Sequence, residues 1–221
     1  MELPHLSVQQ LSKLAESNVS PSQLFGILSQ YETDARLVSA GCGSPETGSA
    51  DPELLSFFYA SFFFAHLLTK QIPEARALTQ RMPEAIRLQD PCLKNCLILL
   101  RAVWQTQNAQ VYQILRNLQW PENLQPLVRR YDSFFQDQTL ISVSTSYEAI
   151  RLPAAATYLG LDPAAAEQED PAIIEKFTQC GWRWDPETKL LHPTPIIVPS
   201  ADQKATNGIH DAMAMLGNRR G

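Results

Sequence analysis

A mostly helical chain, built of helical-repeat hairpins that run into a C-terminal winged helix with a small β-sheet, is the fold this sequence predicts. Three observations carry that reading. Apolar residues recur at helical spacing from the N-terminus to about residue 135. Ser-Pro and Asp-Pro pairs stand where those stretches would begin, and proline at the first turn of a helix costs no hydrogen bond. Between residues 139 and 193 the pattern changes to helix, short strand, helix, helix and a two-strand hairpin.

Residues 1–38 carry two N-terminal helices. Leu3, Leu6, Leu11 and Leu14 mark the first; Leu24, Ile27, Leu28 and Tyr31 mark the second, which starts at Ser20-Pro21. Residues 39–50, SAGCGSPETGSA, are small, polar and glycine-rich and predict a flexible loop. Asp51-Pro52 then opens a phenylalanine-rich helix. Its apolar run, Leu54 to Leu68, is interrupted by Ser56, Ser61 and His66. At about 15 residues it is shorter than the roughly 20 that a membrane span needs, so a buried helix is expected. Pro73 opens a short helix through Arg81, Asp90-Pro91 opens one from Cys92 to Gln107, and Asn108 is expected to cap a helix with the stripe Val111, Ile114, Leu115 and Leu118.

The two helix pairs resemble each other. A shift of 36 residues lays Leu67-Leu68 on Val103-Trp104, Ala75 on Val111, Leu78 on Ile114 and Met82 on Leu118. Paired helices at that period mark a stack of helical repeats, here assigned to residues 51–130. A helix from Pro126 through Phe134 and Phe135 is expected to enter the winged helix, residues 131–197, and weld the two parts together.

Within the winged helix, Tyr147 to Leu152 is extended, and Pro153 starts a small helix with Ala155, Ala156, Tyr158 and Leu159 on its packed face. Gly160 predicts a left-handed cap. DPAAAEQEDP is expected to be a long acidic turn. Asp170-Pro171 opens the helix equivalent to a recognition helix, with Ile173, Ile174 and Phe177 inward and Gly181 at its end. Trp182–Asp185 and Lys189–His192 alternate around DPET as a hairpin, which puts Trp182 in the core and Trp184 on the same face. Residues 198–221 form a linker and a short tail helix with Ile209, Met213 and Leu216 in a stripe.

Charge argues against nucleic acid. The chain carries a net −5, and residues 131–199 hold ten acidic side chains against four basic ones. The third helix of the winged helix offers Lys176 beside Glu175, and the wing offers Arg183 and Lys189 against Asp185 and Glu187. Such a face repels phosphates rather than neutralising them. No catalytic, cofactor-binding or metal-binding residue is assigned. His5, His66, His192 and His210 stand far apart, Cys92 and Cys96 lack two further ligands nearby, and GCGSPETG lacks the lysine of a phosphate loop. The N-terminus lacks the basic-then-apolar order of a signal peptide, and a soluble intracellular protein is expected.

Strand edges are the candidate assembly sites, because their unpaired amides and carbonyls let a neighbour extend the sheet. The wing strand Lys189–His192, with Leu190 and Leu191, and the short strand at Ile150 are the two candidates, with Trp184 beside them. Trp120 is a further possible anchor, tryptophan being enriched at interface hot spots.

Helical repeats running into an acidic winged helix resemble the PCI domain, shared by the proteasome lid, the signalosome and translation initiation factor three. PEARALTQRMPEAI (73–86), Trp104 followed by Val111-Tyr112 and Gln119-Trp120, SYEAIRLPAAATYLGLDP (146–163), and Gly181-Trp182 before WDPETKLLHP (184–193) are similar to the subunit-eight family of the signalosome. The resemblance covers about residues 55–195. It implies a non-catalytic scaffold in the complex that removes Nedd8 from cullins, the zinc chemistry lying on another subunit. It also implies subunit three as the most direct partner, a shared helical bundle joined through Ile209, Met213 and Leu216, no membrane or nucleic-acid partner, and a place in cytoplasm and nucleus. Subunit twelve of the proteasome lid and the k subunit of initiation factor three share the architecture. A nucleic-acid-binding winged helix and a lone helical-repeat adaptor are the readings from other classes.

Overall fold

The structure, a computed structural model, describes residues 7–17, 19–39 and 52–194. Leu3 and Leu6, the stretch 40–51 and the tail with Ile209, Met213 and Leu216 lie outside the described residues. Helices α1 (Val8–Glu16) and α2 (Pro21–Ser39) lead to α3 (Pro52–Leu68), α4 (Ile72–Arg81), α5 (Glu84–Gln89), α6 (Pro91–Trp104) and α7 (Asn108–Asn117). A 3-10 turn, Glu122–Leu124, opens into the long α8 (Gln125–Ser146). The remainder is β1 (Ile150–Arg151), α9 (Leu152–Tyr158), α10 (Pro163–Glu167), α11 (Pro171–Gln179), β2 (Arg183–Asp185) and β3 (Leu190–His192).

The phenylalanine-rich segment is the central helix of the first core, as its composition predicts. Every residue of α3 from Leu55 to Leu68 is buried, and α1, α2, α4, α6 and α8 all touch it. A helix apolar on all sides must be enclosed on all sides. Phe62 packs on Phe25 and Phe58, and Phe64 meets Trp120 and Tyr131 edge-on at ring separations of 5.5 and 5.9 Å. No described helix is long and apolar enough to cross a membrane.

The 36-residue relation holds in the backbone itself. Lys70 and Thr106, one period apart, both take left-handed φ values, 61° and 53°. In the first turn the amides of Lys70 and Gln71 donate to Leu67 and His66; in the second, those of Thr106 and Gln107 donate to Val103 and Ala102. This is the same helix-ending motif used twice. Gln71 and Gln107 then occupy the N-cap positions of α4 and α7, so Asn108 is the first residue of α7 and not its cap. The side chains follow the repeat less closely than the turns do. Ala75, Leu78, Met82, Val111 and Ile114 are buried, but Leu118 is 36% and Trp104 52% exposed, where their counterparts Met82 and Leu68 are covered.

Asp-Pro starts are confirmed at α6 and α11. Asp90 accepts from the Leu93 amide at 2.9 Å and Asp170 from the Ala172 amide at 2.8 Å. A third pair, Asp162-Pro163, corrects the expected acidic turn. Asp162 accepts from the Ala164 amide at 2.9 Å and caps α10, whose Ala166 is buried in the second core. Three alanines after a cap suffice for one turn of helix. Short α5 was not anticipated between Pro83 and Asp90.

Helix α8 belongs to both cores. Leu127, Val128 and Tyr131 lie in the helical-repeat core with Phe134 and Phe135 against it, while Val143 lies in the winged-helix core with Leu140 against it. The weld expected from the sequence is therefore one continuous helix.

Two outcomes follow from these features. Thr106 is β-branched and left-handed, a conformation that strains any residue with a Cβ. Thr106→Gly is expected to raise stability by about 0.5–1 kcal/mol, the relief of strain exceeding the entropy glycine adds to the unfolded chain, read from the urea midpoint at constant m. His66 is 3% exposed between the rings of Phe25 and Phe62, with Nδ1 3.2 Å from Gln71 Oε1. Burial lowers its pKa, with the Gln71 hydrogen bond opposing. The unfolded chain thus takes up a proton that the folded chain resists. Stability is greatest above the free imidazole pKa of about 6.5 and falls as pH drops below it. His66→Gln should give a shallower loss of stability between about pH 7 and 5.

Candidate protein-interaction site

The winged helix is assembled around Trp182. Its ring stacks on Phe177 with centroids 5.0 Å apart, and its Nε1–H donates to Ser144 Oγ at 3.0 Å, so the indole joins α11 to the end of α8. Phe177, Leu191, Leu152, Ala155 and Ala156 close the core around it. Trp182 is 2% exposed, as alternation predicts, whereas Trp184 is half-buried against the same cluster. Trp120, the other anchor candidate, is buried, with Nε1–H donating to the Ile114 carbonyl at 3.2 Å. It is a core residue.

Strand order decides which edge is free. The sheet runs β1-β3-β2, both pairings antiparallel. Ile150 faces Leu191 and Arg151 faces Leu190, while Arg183, Trp184 and Asp185 face His192, Leu191 and Leu190. Strand β3 therefore lies in the middle, and both its edges are used within the chain. This removes the wing strand Lys189–His192 as an edge for a neighbour: Leu190 is half-buried, and Leu191 is 0% exposed at the centre of the core. The outer edges of the described sheet are β1 and β2. Ile150 is on a free edge, but its side chain points into the core at 5% exposure, so it can offer a partner only backbone. Trp184 lies on the other edge. A sequence does not reveal this order, because a hairpin alone leaves either of its strands outermost.

Around the sheet the surface is polar and acidic. Asp185 closes the wing turn by accepting from the Glu187 amide at 3.0 Å and the Thr188 hydroxyl at 2.8 Å; the Thr188 bond and then the Glu187 bond hold its carboxyl below the usual range. Lys189, a cation of the wing, is paired with Glu169. On α11 the exposed Lys176 stands beside exposed Glu175. A phosphate approaching this face would meet carboxylates.

A polar latch that sequence reasoning missed also ties the winged helix to the repeats. Arg116, on α7, reaches Asp132 on α8 with Nε and Nη2 at 3.1 Å from its two carboxylate oxygens, and donates through Nη1 to the Gly160 carbonyl at 2.6 Å. Its guanidinium lies 4.7 Å from the centre of the Tyr112 ring. Gln136 on α8 donates to the neighbouring Leu159 carbonyl at 2.8 Å. Gly160, the left-handed cap expected at the end of α9, has φ 64° and abuts Tyr112: an added Cβ would lie 2.4 Å from Tyr112 Cγ. The glycine signal was legible, but not the ring it accommodates.

The fold and the acidic winged helix narrow the comparison with known proteins. A model of the CSN8/PSMD8/EIF3K family matches residues 53–202, from the buried central helix through the winged helix. The chain belongs to the CSN8/PSMD8/EIF3K family. It is 50% identical over 220 residues to COP9 signalosome complex subunit 8 of Emericella nidulans, covering 99% of each chain. COP9 signalosome complex subunit 8 of Dictyostelium discoideum is 25% identical over 166 residues, 75% of this chain and 81% of that protein. The Danio rerio protein of the same name is 23% identical over 198 residues, 87% of this chain and 93% of its own. The family match contains the whole described sheet and both sides of the Arg116 latch.

Gly160→Ala is expected to cost about 2–4 kcal/mol, combining left-handed strain with overpacking against Tyr112, measured by urea unfolding. Arg116→Ala should cost about 1 kcal/mol, since its pair with Asp132 is partly exposed.

Proposed function

We propose that the chain is a non-catalytic scaffold subunit of a COP9 signalosome. The observation that carries this reading is the 50% identity, along nearly the whole length of both chains, to a protein named as subunit 8 of that complex. The architecture supports it. An acidic winged helix whose third helix sets Glu175 beside Lys176 is poorly suited to phosphates, and among the described residues its sheet keeps two free edges for protein neighbours. In this reading subunit three is the most direct partner, the complex removes Nedd8 from cullins with chemistry on another subunit, and the protein works in cytoplasm and nucleus. Strands β1 and β2, with Trp184, are the assembly edges, and the Ile209, Met213 and Leu216 stripe is a second contact.

Purification of the tagged chain from its native cells is expected to return the other signalosome subunits in near-equal amounts together with cullin-deneddylating activity. Return of proteasome-lid or initiation-factor subunits would keep the family and replace the complex. Tight, salt-sensitive binding of the purified chain to DNA would instead support a nucleic-acid role. Hydrogen exchange gives the finer test: amides of β1 or β2 should slow on assembly, while those of β3, already paired on both sides, should change little.

A further inference from the structure

A groove between α4 and α6 has features that the scaffold reading does not use. It has a volume of about 360 Å³. Leu97, Leu100, Arg101 and Trp104 line it from α6 at helical spacings, and Arg76 and Thr79 face them from α4. Trp104 is 52% exposed, the largest side chain so exposed among the described residues. The Arg76 guanidinium lies 5.4 Å from the centre of its ring, within the range of a cation–π contact, and so limits the positions the indole can take.

Charge is the second feature. Among the described residues neither Arg76 nor Arg101 makes an ion pair with a carboxylate. The groove lining contains no Asp or Glu. Arg87 adds a third guanidinium beside it, donating to the Thr79 carbonyl at 3.2 Å. A cluster of arginines around an open apolar slot stands out on a chain of net charge −5. Guanidinium forks match carboxylates bidentately, and a tryptophan at the mouth of an apolar slot is the residue type that carries binding energy.

We propose that this groove docks a short acidic segment of a partner protein that carries a bulky apolar anchor. The anchor lies on Leu97, Leu100 and Trp104, while its flanking carboxylates engage Arg76 and Arg101. The surface lies on the helical repeats, away from the sheet edges, so it can be occupied while the winged helix is engaged elsewhere. It does not rest on membership of any one complex.

The test uses the full chain and a fluorescein-labelled peptide in which Phe-Leu is flanked on both sides by Glu and Asp. Fluorescence anisotropy should show saturable binding that weakens with salt. Binding should fall about tenfold or more with Trp104→Ala or with Arg76→Glu and Arg101→Glu together. It should also be lost when the peptide acids become amides or Phe-Leu becomes Ala-Ala. The urea midpoint of each variant serves as the check on folding, and Trp104 is exposed enough for its loss to be tolerated. No binding by this peptide, or binding unaffected by these substitutions, would overturn the proposal. So would any of three other occupants: a poly-uridine oligonucleotide bound through the same arginines, a dimer abolished by Trp104→Ala, or peptide binding gained only when residues 195–221 are removed.

Discussion

The constraint on which the rest depends is that one helix serves two hydrophobic cores. Helix α8 is 22 residues long, about 33 Å at the usual rise. Tyr131, Phe134 and Phe135 commit its first half to the repeat core, and Leu140, Val143 and Ser144 commit its second half to the winged helix. An α-helix does not bend sharply without a proline, an inserted group or broken hydrogen bonds. Rotation of the winged helix relative to the repeats would therefore withdraw apolar side chains from one core or the other. The Arg116 contacts to Asp132 and Gly160 act on the same joint from α7, and Gln136 adds a bond from α8 itself.

The continuous helix also fixes the sheet relative to the helical repeats, so its outer edges stand at a set angle to them. Burial divides the strands into roles. β3 is consumed by the core through Leu191, while β1 and β2 keep one side of their backbone unpaired within the described residues. The net acidic charge of residues 131–199 opposes the approach of phosphate to this part of the chain.

The repeats show how much variation an architecture accepts once its turns are set. Lys70 and Thr106 take the same left-handed backbone conformation to end α3 and α6, with the same pair of turn hydrogen bonds. The outward faces then diverge. Leu68 sits in α3, which other helices surround, whereas its counterpart Trp104 ends α6 beside an open groove. A hydrophobic side chain can be retained in such a place only where exposure is tolerated or a partner covers it.

What was legible in the sequence was local. Periodicity gave the helices and the buried character of α3. Asp-Pro pairs gave the starts of α6 and α11, Gly160 and Gly181 gave helix ends, and alternation placed Trp182 in the core. The 36-residue shift found the hairpins because equal turns impose equal spacing of packed residues. The charge of the winged helix could be counted without any coordinates. Tertiary structure alone decided the middle position of β3, the enclosure of Trp120, the exposure of Trp104 and the meeting of Arg116 with Asp132 and Gly160. Each of these joins segments distant in the chain. Propensity and capping act within a few residues, while strand order and side-chain burial depend on which neighbours arrive from elsewhere.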